Sequence, residues 1–405
     1  MRINTDQRIR DIQVDFAGQP LGILQKGARY TFSYHSDAAQ PVSVTMPLEQ
    51  RVYERGALFP IFEMNIPEGY IRQRITERLR KHIRVDDMLF LALQGNTGVG
   101  CLQYRTQGIE AEHTTGEALA EILGWQGQDD LFETLLDKYL LQSSISGVQP
   151  KLLVPETRST SAKGALVLPS LIVKKGDDEY PELAVNEYIC MRLAQACGID
   201  TPEFWLSDDR QLFVMRRFDL DADGDCMAME DMAVLQGKST DQKYASSYEA
   251  IVKAIRYYSA DVHTDLDIFY KMLLHSCMVG NGDGHLKNYA MIYRDPEQMG
   301  LSKLYDVVNT RLYHSNEFMA LRLDKSKDFP DRRRLVNFGK NIGIKKPETV
   351  IEEIADRIRD ELVRLRDYAD AMTLDIEASI LGSLNRSTTR TAHKSRPARR
   401  HSKHP

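Results

Sequence analysis

A polar stretch that directly follows a long helical pattern constrains this chain more than any other feature. The pattern predicts a helix that begins near Thr264 and Asp267 and ends at Gly280. Its apolar positions recur with the helical period at Leu266, Phe269, Tyr270, Leu273 and Cys277. Residues 281–288 then read Asn-Gly-Asp-Gly-His-Leu-Lys-Asn. A buried helix that ends in such a loop is a common way to mount polar groups on a rigid support.

Asp283 and Asn288 stand five residues apart in this stretch. Protein kinases use that spacing for an Asp that accepts the proton of the substrate hydroxyl and an Asn that holds magnesium against the phosphates. Ordinary loops also contain Asp and Asn, which cap and turn the chain. A second carboxylate, Asp306, follows the apolar run 289–293 and a turn at 294–296. A strand pair that returned Asp306 to the same loop would make it a second metal ligand.

Two upstream segments are candidates for holding the phosphates of a nucleotide. Residues 143–149 are mostly small, include Gly147 and lead into an apolar strand pattern, so successive backbone N–H groups can approach an anion. An ordinary loop before a strand has the same pattern. The second segment is a strand over 166–173 that ends in Lys174, with Glu187 on the following helix. Kinases place a phosphate-gripping lysine and its orienting glutamate in this way, but a surface lysine at a strand end also fits.

Two further segments concern the rest of a nucleotide site. The apolar strand 211–215 leads into a polar connector at 216–219, where a hinge would hold adenine through its backbone. The glycine-rich segment 95–100 invites a phosphate-loop interpretation, but it lacks the Gly-Lys-Ser/Thr ending of such a loop and precedes a strand pattern. We therefore predict a turn there.

The hydrophobic pattern elsewhere predicts a small sheet followed by helices. Alternating apolar and polar residues predict N-terminal strands within 13–24, 30–34 and 42–46. Helical periods follow at 67–81, 85–93, 118–141, 184–197 and 347–374. A length of 405 residues with 42% apolar content supports two or three domains.

The composition argues against a membrane or disulfide-stapled protein. The longest apolar run, 88–93, is far shorter than a bilayer span, and the first residues lack the apolar core of a signal peptide, so we expect a cytoplasmic protein without a membrane partner. The cysteines are five, contain no C-x-x-C pair and lie mostly in apolar segments. They are expected to be small core residues that form neither a disulfide framework nor a zinc site.

The charge is distributed unevenly along the chain. The formal net charge is -5, yet residues 386–405 hold seven Lys or Arg and no acidic residue, which leaves about -12 on the rest. A free basic tail of this kind binds nucleic acid or an acidic partner, or it serves only as a disordered, solubilising end.

Taken in order, these segments resemble the HipA family of serine/threonine kinase toxins of type II toxin-antitoxin systems. The resemblance covers about residues 13–380. Its most specific parts are Ser144-x-Ser146-Gly147-Val148-Gln149-x-Lys151, Asn186-Glu187-Tyr188, Arg217-Phe218-Asp219, Asn281-x-Asp283-x-His285-x-Lys287-Asn288 and Tyr305-Asp306. The chain lacks the G-x-G-x-x-G, H-R-D and D-F-G signatures of ordinary protein kinases, as the family does.

The resemblance implies a role for each matched residue. It makes Asp283 the catalytic base, Asn288 and Asp306 the Mg²⁺ ligands, and Lys174 the lysine that grips the ATP phosphates. It also implies that Ser144 and Ser146 are autophosphorylation sites. The other residues that it assigns to ATP binding or to support of the catalytic loop are Ser146, Gly147, Val148, Gln149, Lys151, Arg216, Arg217, Phe218, His285, Lys287 and Tyr305.

The resemblance also implies a fold and partners. The fold is an α+β, two-lobed, protein-kinase-like one, with a mixed N-lobe, a small β-rich N-terminal subdomain and a helical C-lobe. We place these parts at 1–105 for the subdomain, 106–250 for the ATP-binding part, 251–384 for the C-lobe and 385–405 for a basic disordered tail. The expected partners are a HipB-like helix-turn-helix antitoxin, operator DNA bound through that antitoxin, and an aminoacyl-tRNA synthetase as substrate.

Two other kinds of function remain compatible with the sequence. One is a catalytically silent co-repressor subunit that keeps the kinase shell. The other is a small-molecule phosphotransferase, because the Asp and Asn spacing does not distinguish a protein hydroxyl from a metabolite hydroxyl.

Overall fold

The computed structural model describes residues 2–3, 8–107, 109–110, 115–142, 149–160, 164–176, 179–221, 223–314, 318–366 and 371–389. Its N-terminal part is built on an antiparallel sheet in the order β5-β4-β3-β2-β6, with a short β1-β7 ribbon beside it. The strands are β1 Arg2–Ile3, β2 Asp11–Phe16, β3 Gln19–Lys26, β4 Tyr30–Tyr34, β5 Val52–Arg55, β6 Leu102–Arg105 and β7 Ile109–Glu110. Three helices between β5 and β6 belong to this described part: α1 Pro60–Glu63, α2 Gly69–Leu79 and α3 Asp87–Gln94.

The next part of the chain forms a second antiparallel sheet, in the order β10-β11-β9-β8. Its helices and strands are α4 Leu119–Leu123, α5 Leu131–Tyr139, β8 Lys151–Thr160, β9 Gly164–Lys175, α6 Leu183–Ala196, β10 Phe204–Leu206 and β11 Leu212–Arg216. Helix α6 packs against this sheet and, on its other side, against the helical part that follows. Because Lys174 lies in β9 and Glu187 in α6, this packing brings the two side chains together.

The C-terminal part is mostly helical and carries a small sheet in the order β12-β13-β14. Its helices and strands are β12 Ala228–Asp231, α7 Met232–Leu235, α8 Tyr248–Tyr258, α9 Val262–Val279, β13 Ala290–Tyr293, β14 Gly300–Leu301, α10 Arg332–Ile342, α11 Pro347–Leu365 and α12 Ala371–Thr388. Helix α9 is the central one, since α8, α11 and α12 all pack against it. The structure therefore confirms the α+β, two-lobed architecture with a β-rich N-terminal part and a helical C-lobe.

Several local predictions are corrected by the structure. Residues 42–46 form turns instead of a strand; Val42 and Met46 are buried because the Tyr34 hydroxyl bonds to the backbone of both. The predicted helix 118–141 is two helices, interrupted between Gly124 and Asp130, and Asp130 caps the second one. The predicted helix 347–374 ends at Leu365, before the start of α12. Helix α9 is capped by Asp261, three residues before the predicted start.

The prediction that the cysteines are small core residues without a disulfide is correct for three of the five. Cys190, Cys197 and Cys277 are free and buried, as predicted for core residues. Cys101 and Cys226, however, form a disulfide across 125 residues of sequence. The prediction was wrong for this pair because the N-terminal part docks onto the loop before β12, a contact that no local spacing reveals.

Among the described residues, no helix combines the length and apolar character needed to cross a membrane.

Candidate active site

A cleft opens where the N-terminal part, the second sheet and the helical lobe meet. Its apolar walls include Ile172, Met215 and Met229. Most of the predicted site residues that the structure describes also line it: Lys151, Lys174, Arg217, Phe218, His285, Lys287, Tyr305 and Asp306. Ser144, Ser146, Gly147 and Val148 lie outside the described residues, so the phosphate-loop and autophosphorylation predictions stay predictions.

The loop that carries Asp283 is held by its own backbone. Helix α9 ends at Gly280, whose φ of 78° is left-handed; a Cβ there would lie 2.8 Å from Ser383 Oγ. The Asp283 N–H donates to Asn281 Oδ1 at 3.0 Å, and the His285 N–H donates to the Asp283 carbonyl at 2.7 Å. This local bonding explains how a loop of small and polar residues holds a defined shape after the helix.

Asp283 lies close to charged residues of the cleft. Its side chain is exposed, and its charge interacts with Asp306, Lys243 and Lys151, all of which line the cleft. The surrounding protein desolvates the carboxyl and raises its pKa to about 6, whereas a hydrogen bond from Tyr244 opposes that rise. At pH 7 the group is mostly a carboxylate and can accept a proton.

Asn288 and Asp306 are in contact, because a strand pair returns the chain to the Asp283 loop as predicted. Strands β13 and β14 form an antiparallel pair, after which the chain brings Asp306 back to the loop. Asn288 Nδ2 donates to Asp306 Oδ2 at 3.1 Å and to the Asp306 carbonyl at 3.2 Å. Asp306 adopts a φ of 59°, a left-handed conformation that is rare outside glycine and often found at functional sites.

These two side chains fit a magnesium ion that is also bound by phosphate. Within the described part of the chain, the buried Oδ1 of Asn288 has no hydrogen-bond partner, so a polar acceptor is left for a ligand. No group of three or more His, Cys, Asp or Glu among those residues could hold a metal alone. Mg²⁺ is usually bound by one or two carboxylates together with water and substrate phosphates. The donor set therefore suits Mg²⁺ that arrives with a nucleotide.

Two lysines converge on Asp306. Lys174 Nζ lies 2.6 Å from Asp306 Oδ1 and 2.5 Å from Glu187 Oε1, and Lys151 Nζ lies 3.4 Å from Asp306 Oδ2. Burial alone would lower the pKa of Lys174, but the carboxylates of Asp306 and Glu187 outweigh it and raise that pKa. Burial would likewise raise the pKa of Asp306, yet Lys151 and Lys174 hold it well below its usual range. Both Lys174 and Asp306 are thus charged at neutral pH.

The connector at 216–219 is fixed by ion pairs. Arg217 donates to both oxygens of Asp219, at 3.0 and 2.6 Å, and to the carbonyls of Thr97 and Gly98 at 2.8 and 2.6 Å. The segment 95–100 forms a turn, as predicted, and the bonds to Arg217 dock it onto the connector at 216–219. Phe218 packs against the Tyr305 ring with centroids 5.5 Å apart.

Arg216, Gln149 and His285 were also predicted to belong to the site, and of these three only His285 lines the cleft. The Arg216 side chain does not line the cleft, because it pairs with Glu156 and Glu203. Gln149 lies just before β8 and is also outside the lining. His285 lines the cleft, and burial together with Lys243 lowers its pKa to about 3, so its ring is neutral at pH 7.

Sequence reasoning missed several residues at this cleft. Lys243 comes from the segment before α8, and Asn65 and Glu68 come from the N-terminal part. Tyr244, next to Lys243, donates a hydrogen bond to Asp283. Glu68 follows Pro67 and was interpreted as part of a helix start. Each of these residues reaches the site through a contact distant in sequence, which leaves no local signal beyond the charges themselves.

A two-lobed α+β fold with a cleft that holds a buried Lys–Glu pair, an Asp loop and an Asn–Asp pair defines a protein of the kinase-like class. A family model for the HipA N-terminal domain matches residues 12–105, and one for the HipA-like C-terminal domain matches residues 143–364. The chain belongs to the HipA family.

Two relatives of this chain carry kinase names. The putative kinase Y4dM of Sinorhizobium fredii (strain NBRC 101917 / NGR234) is 27% identical over 292 residues, covering 66% of this chain and 66% of that relative, just under two thirds. A putative kinase of Haemophilus influenzae (strain ATCC 51907 / DSM 11121 / KW20 / Rd) is 28% identical over 253 residues, covering 54% and 72%.

A solved structure shares the fold. A chain of the Shewanella oneidensis MR-1 toxin-antitoxin complex of HipA, HipB and operator DNA superposes with a TM-score of 0.70. The match covers 93% of this chain and 97% of that one at 19% identity, so it supports the fold alone.

Proposed function

We propose that this protein is an ATP- and Mg²⁺-dependent serine/threonine protein kinase that acts as the toxin of a HipA/HipB-type module. The observation that carries the proposal is the contact of Lys174 with both Glu187 and Asp306, and of Asn288 with Asp306, beside the loop of Asp283. Lys174 and Asp306 line the cleft, and Glu187 and Asn288 are buried next to them. Kinases need this set of groups, because phosphoryl transfer depends mainly on positioning and charge stabilisation.

Residues of this chain bind the nucleotide and accept the proton of the substrate hydroxyl. Lys174, oriented by Glu187, and Lys151 bind phosphate oxygens, while the apolar walls near Met215 and Met229 receive adenine beside the hinge. Asp283 accepts the proton of a serine or threonine hydroxyl as its oxygen attacks the γ-phosphorus of ATP and ADP leaves.

Asn288 and Asp306 would hold Mg²⁺, which when bound neutralises phosphate charge. Asp306 is paired with Lys151 and Lys174 in the structure. Phosphate oxygens would compete with Asp306 for these ammonium groups and so release its carboxylate for the metal.

The test of this activity is phosphate transfer by the purified protein. We expect it to label itself or a protein in a cell extract when given ATP and Mg²⁺, and Asp283→Asn to lower the rate by about 10²- to 10⁴-fold. Wild type and Asp283→Asn protein that both leave every protein unlabelled would contradict the kinase proposal. ATP binding without transfer would then favour the silent co-repressor.

We extend the proposal to partners and substrate. The substrate implied by the family resemblance is an aminoacyl-tRNA synthetase, whose phosphorylation would stall translation. The partner is a HipB-like antitoxin, through which the kinase would join operator DNA; the Shewanella complex contains HipA, HipB and operator DNA together.

DNA binding is expected to come mainly from the antitoxin, because the first 385 residues carry about -12 and phosphate contacts need clustered Lys or Arg. Gel shifts at fixed salt with the kinase, the antitoxin and their mixture test this. Tight sequence-specific binding by the kinase alone would contradict it.

A further inference from the structure

The carboxylate of Glu68 lies between two ammonium groups of the cleft. Glu68 Oε2 is 2.7 Å from Lys243 Nζ, and Glu68 Oε1 is 3.1 Å from Lys287 Nζ. The side chains of the two lysines are only 7% and 8% exposed, and that of Glu68 is 15% exposed. All three residues line the cleft. Neither Glu68 nor Lys243 was recognised as functional from the sequence.

The position of Glu68 in its own helix indicates that its side chain serves this contact. Glu68 is the N-cap residue of α2, yet its side chain makes no capping hydrogen bond to that helix. It reaches out of the N-terminal part instead, across 175 residues of sequence to Lys243 and farther still to Lys287. The carboxylate of Glu68 therefore contacts the two lysines in place of the first turn of α2.

Both lysines are tied to the catalytic loop. Lys287 directly precedes Asn288 and lies four residues after Asp283. Lys243 directly precedes Tyr244, whose hydroxyl donates to Asp283. Asp231, another carboxylate of the cleft, accepts from the N–H groups of Ala233 and Val234 and so caps α7. Among the described residues, Glu68 is the acidic group within ion-pair distance of Lys243 and Lys287.

Electrostatics explains what Glu68 does there. Two ammonium groups that are almost shielded from water repel each other, and a carboxylate between them removes that repulsion while fixing where each can lie. Lys287 is also held by the Thr240 hydroxyl at 3.4 Å. Preorganised positive groups near a transferring phosphoryl group stabilise its charge only if they are held in place before the reaction.

We infer that Glu68 is a positioning residue for Lys287 and Lys243, and that the N-terminal part is therefore a component of the active site. This inference rests on the proposed kinase function, which supplies the transferring phosphoryl group. Lys287 contacts that group, and Glu68 acts through Lys287. The N-terminal part is thereby required for phosphoryl transfer itself, beyond any contribution to stability.

The experiment compares three variants of the full-length protein. Glu68→Gln removes the charge, and Glu68→Asp keeps it on a side chain too short to bridge both lysines. Glu63→Gln is the matched control, because Glu63 crosses the same boundary to accept from the Thr240 N–H at 3.1 Å but does not line the cleft. We expect kcat to fall about 10- to 100-fold for Glu68→Gln, less for Glu68→Asp, and little for Glu63→Gln, with the KM for ATP changing less than kcat. Thermal melting identifies any variant that fails to fold.

A second measurement follows the acylation rates of Lys243 and Lys287 and does not depend on enzyme activity. Acetic anhydride acylates accessible amines, and loss of the ion pairs to Glu68 frees both lysine side chains. We expect Lys243 and Lys287 to be acylated several-fold faster in Glu68→Gln than in wild type or Glu63→Gln, as measured by peptide mass spectrometry.

The outcomes separate the two proposals. An active wild type with kcat unchanged within twofold in both Glu68 variants would overturn the positioning role. A wild type that transfers no phosphate would overturn the proposed function, and acylation would then decide the role of Glu68. Unchanged acylation would overturn that role, and accelerated acylation would support it.

Discussion

The Tyr244 hydroxyl donates a hydrogen bond to Oδ1 of Asp283 at 2.9 Å. Tyr244 is 40% exposed, and its ring lies edge-on to the His285 ring with centroids 5.1 Å apart. A substrate hydroxyl that gives its proton to Asp283 must come within a similar distance of the same carboxylate. Tyr244 therefore tunes the charge of the proposed base and shares its surface with the substrate.

We expect Tyr244→Phe to move the acid limb of the pH–rate profile toward higher pH. Asp283 works as a base only when deprotonated, so kcat/KM should fall as the pH drops through its pKa of about 6. The hydrogen bond from Tyr244 lowers that pKa, and its loss should raise it. Tyr257→Phe, at a side chain 81% exposed on α8, is the matched control. An acid limb that stays in place, or moves to lower pH, would contradict this assignment of the base.

We expect Asn288→Ala to weaken the magnesium dependence of ATP binding, with Asp306 left as the second proposed ligand. Its Oδ1 is the buried acceptor that lacks a partner among the described residues, so it is available to the metal. Calorimetric titration with ATP, with and without Mg²⁺, measures the difference. Asn385→Ala, at an exposed position of α12, is the control. If Asn288→Ala keeps the full effect of Mg²⁺ on ATP affinity, Asn288 is not a ligand.

We expect Glu187→Gln to weaken both the fold and the grip on ATP. Glu187 and Lys174 are 0% and 2% exposed, and removal of the Glu187 charge leaves the buried ammonium group with Asp306 as its remaining carboxylate partner. Complete loss of a partner costs a buried charge about 3 to 5 kcal/mol in the free energy of unfolding, and we expect a smaller cost of about 1 to 3 kcal/mol here because Asp306 remains. Urea denaturation measures this cost. Asp356→Asn breaks the exposed Arg359 pair and should cost no more than about 0.5 kcal/mol. Equal losses of unfolding free energy in Glu187→Gln and Asp356→Asn would contradict the prediction that the buried pair stabilises the fold more than the exposed pair.

We propose that autophosphorylation at Ser144 or Ser146 shuts the enzyme down. A phosphoserine adds about -1.5 to -2 charge, which would compete with ATP for the same backbone N–H groups or draw the loop toward basic groups. The double variant of Ser144→Ala and Ser146→Ala should stay unmodified and inhibit growth more strongly than wild type, and the two single variants identify which serine carries the phosphate. Intact mass, ATP affinity and growth rate are the measurements. Phosphate on either serine that leaves ATP affinity unchanged would rule out the switch.

The sequence predicted those parts of the site that lie close together along the chain. Asp283 and Asn288 share one loop, and Asp306 returns through one strand pair, so helical period and spacing were sufficient to propose them. The Lys174–Glu187 pair followed from a strand and the next helix. The boundaries placed after residues 105, 250 and 384 stay predictions.

Contacts between distant segments were not predictable in this way. The segment 42–46 alternates like a strand, but Ser43 and Val44 donate to the buried Glu230 instead of joining the sheet. Glu68 reaches Lys243 only because the N-terminal part docks on the helical lobe, and Cys101 meets Cys226 for the same reason. Such contacts depend on how folded parts pack together, and period and spacing within one segment carry no information about that packing.

Phosphoproteomics after induced expression tests the central claim most directly. Cells that express the wild-type protein should gain phosphoserine or phosphothreonine on one or a few proteins of translation, with a tRNA synthetase among them, and stop growing. Cells that express Asp283→Asn at the same level should show neither change. A proteome without new phosphorylation would contradict the account, and if ATP is consumed all the same, the acceptor is a small molecule.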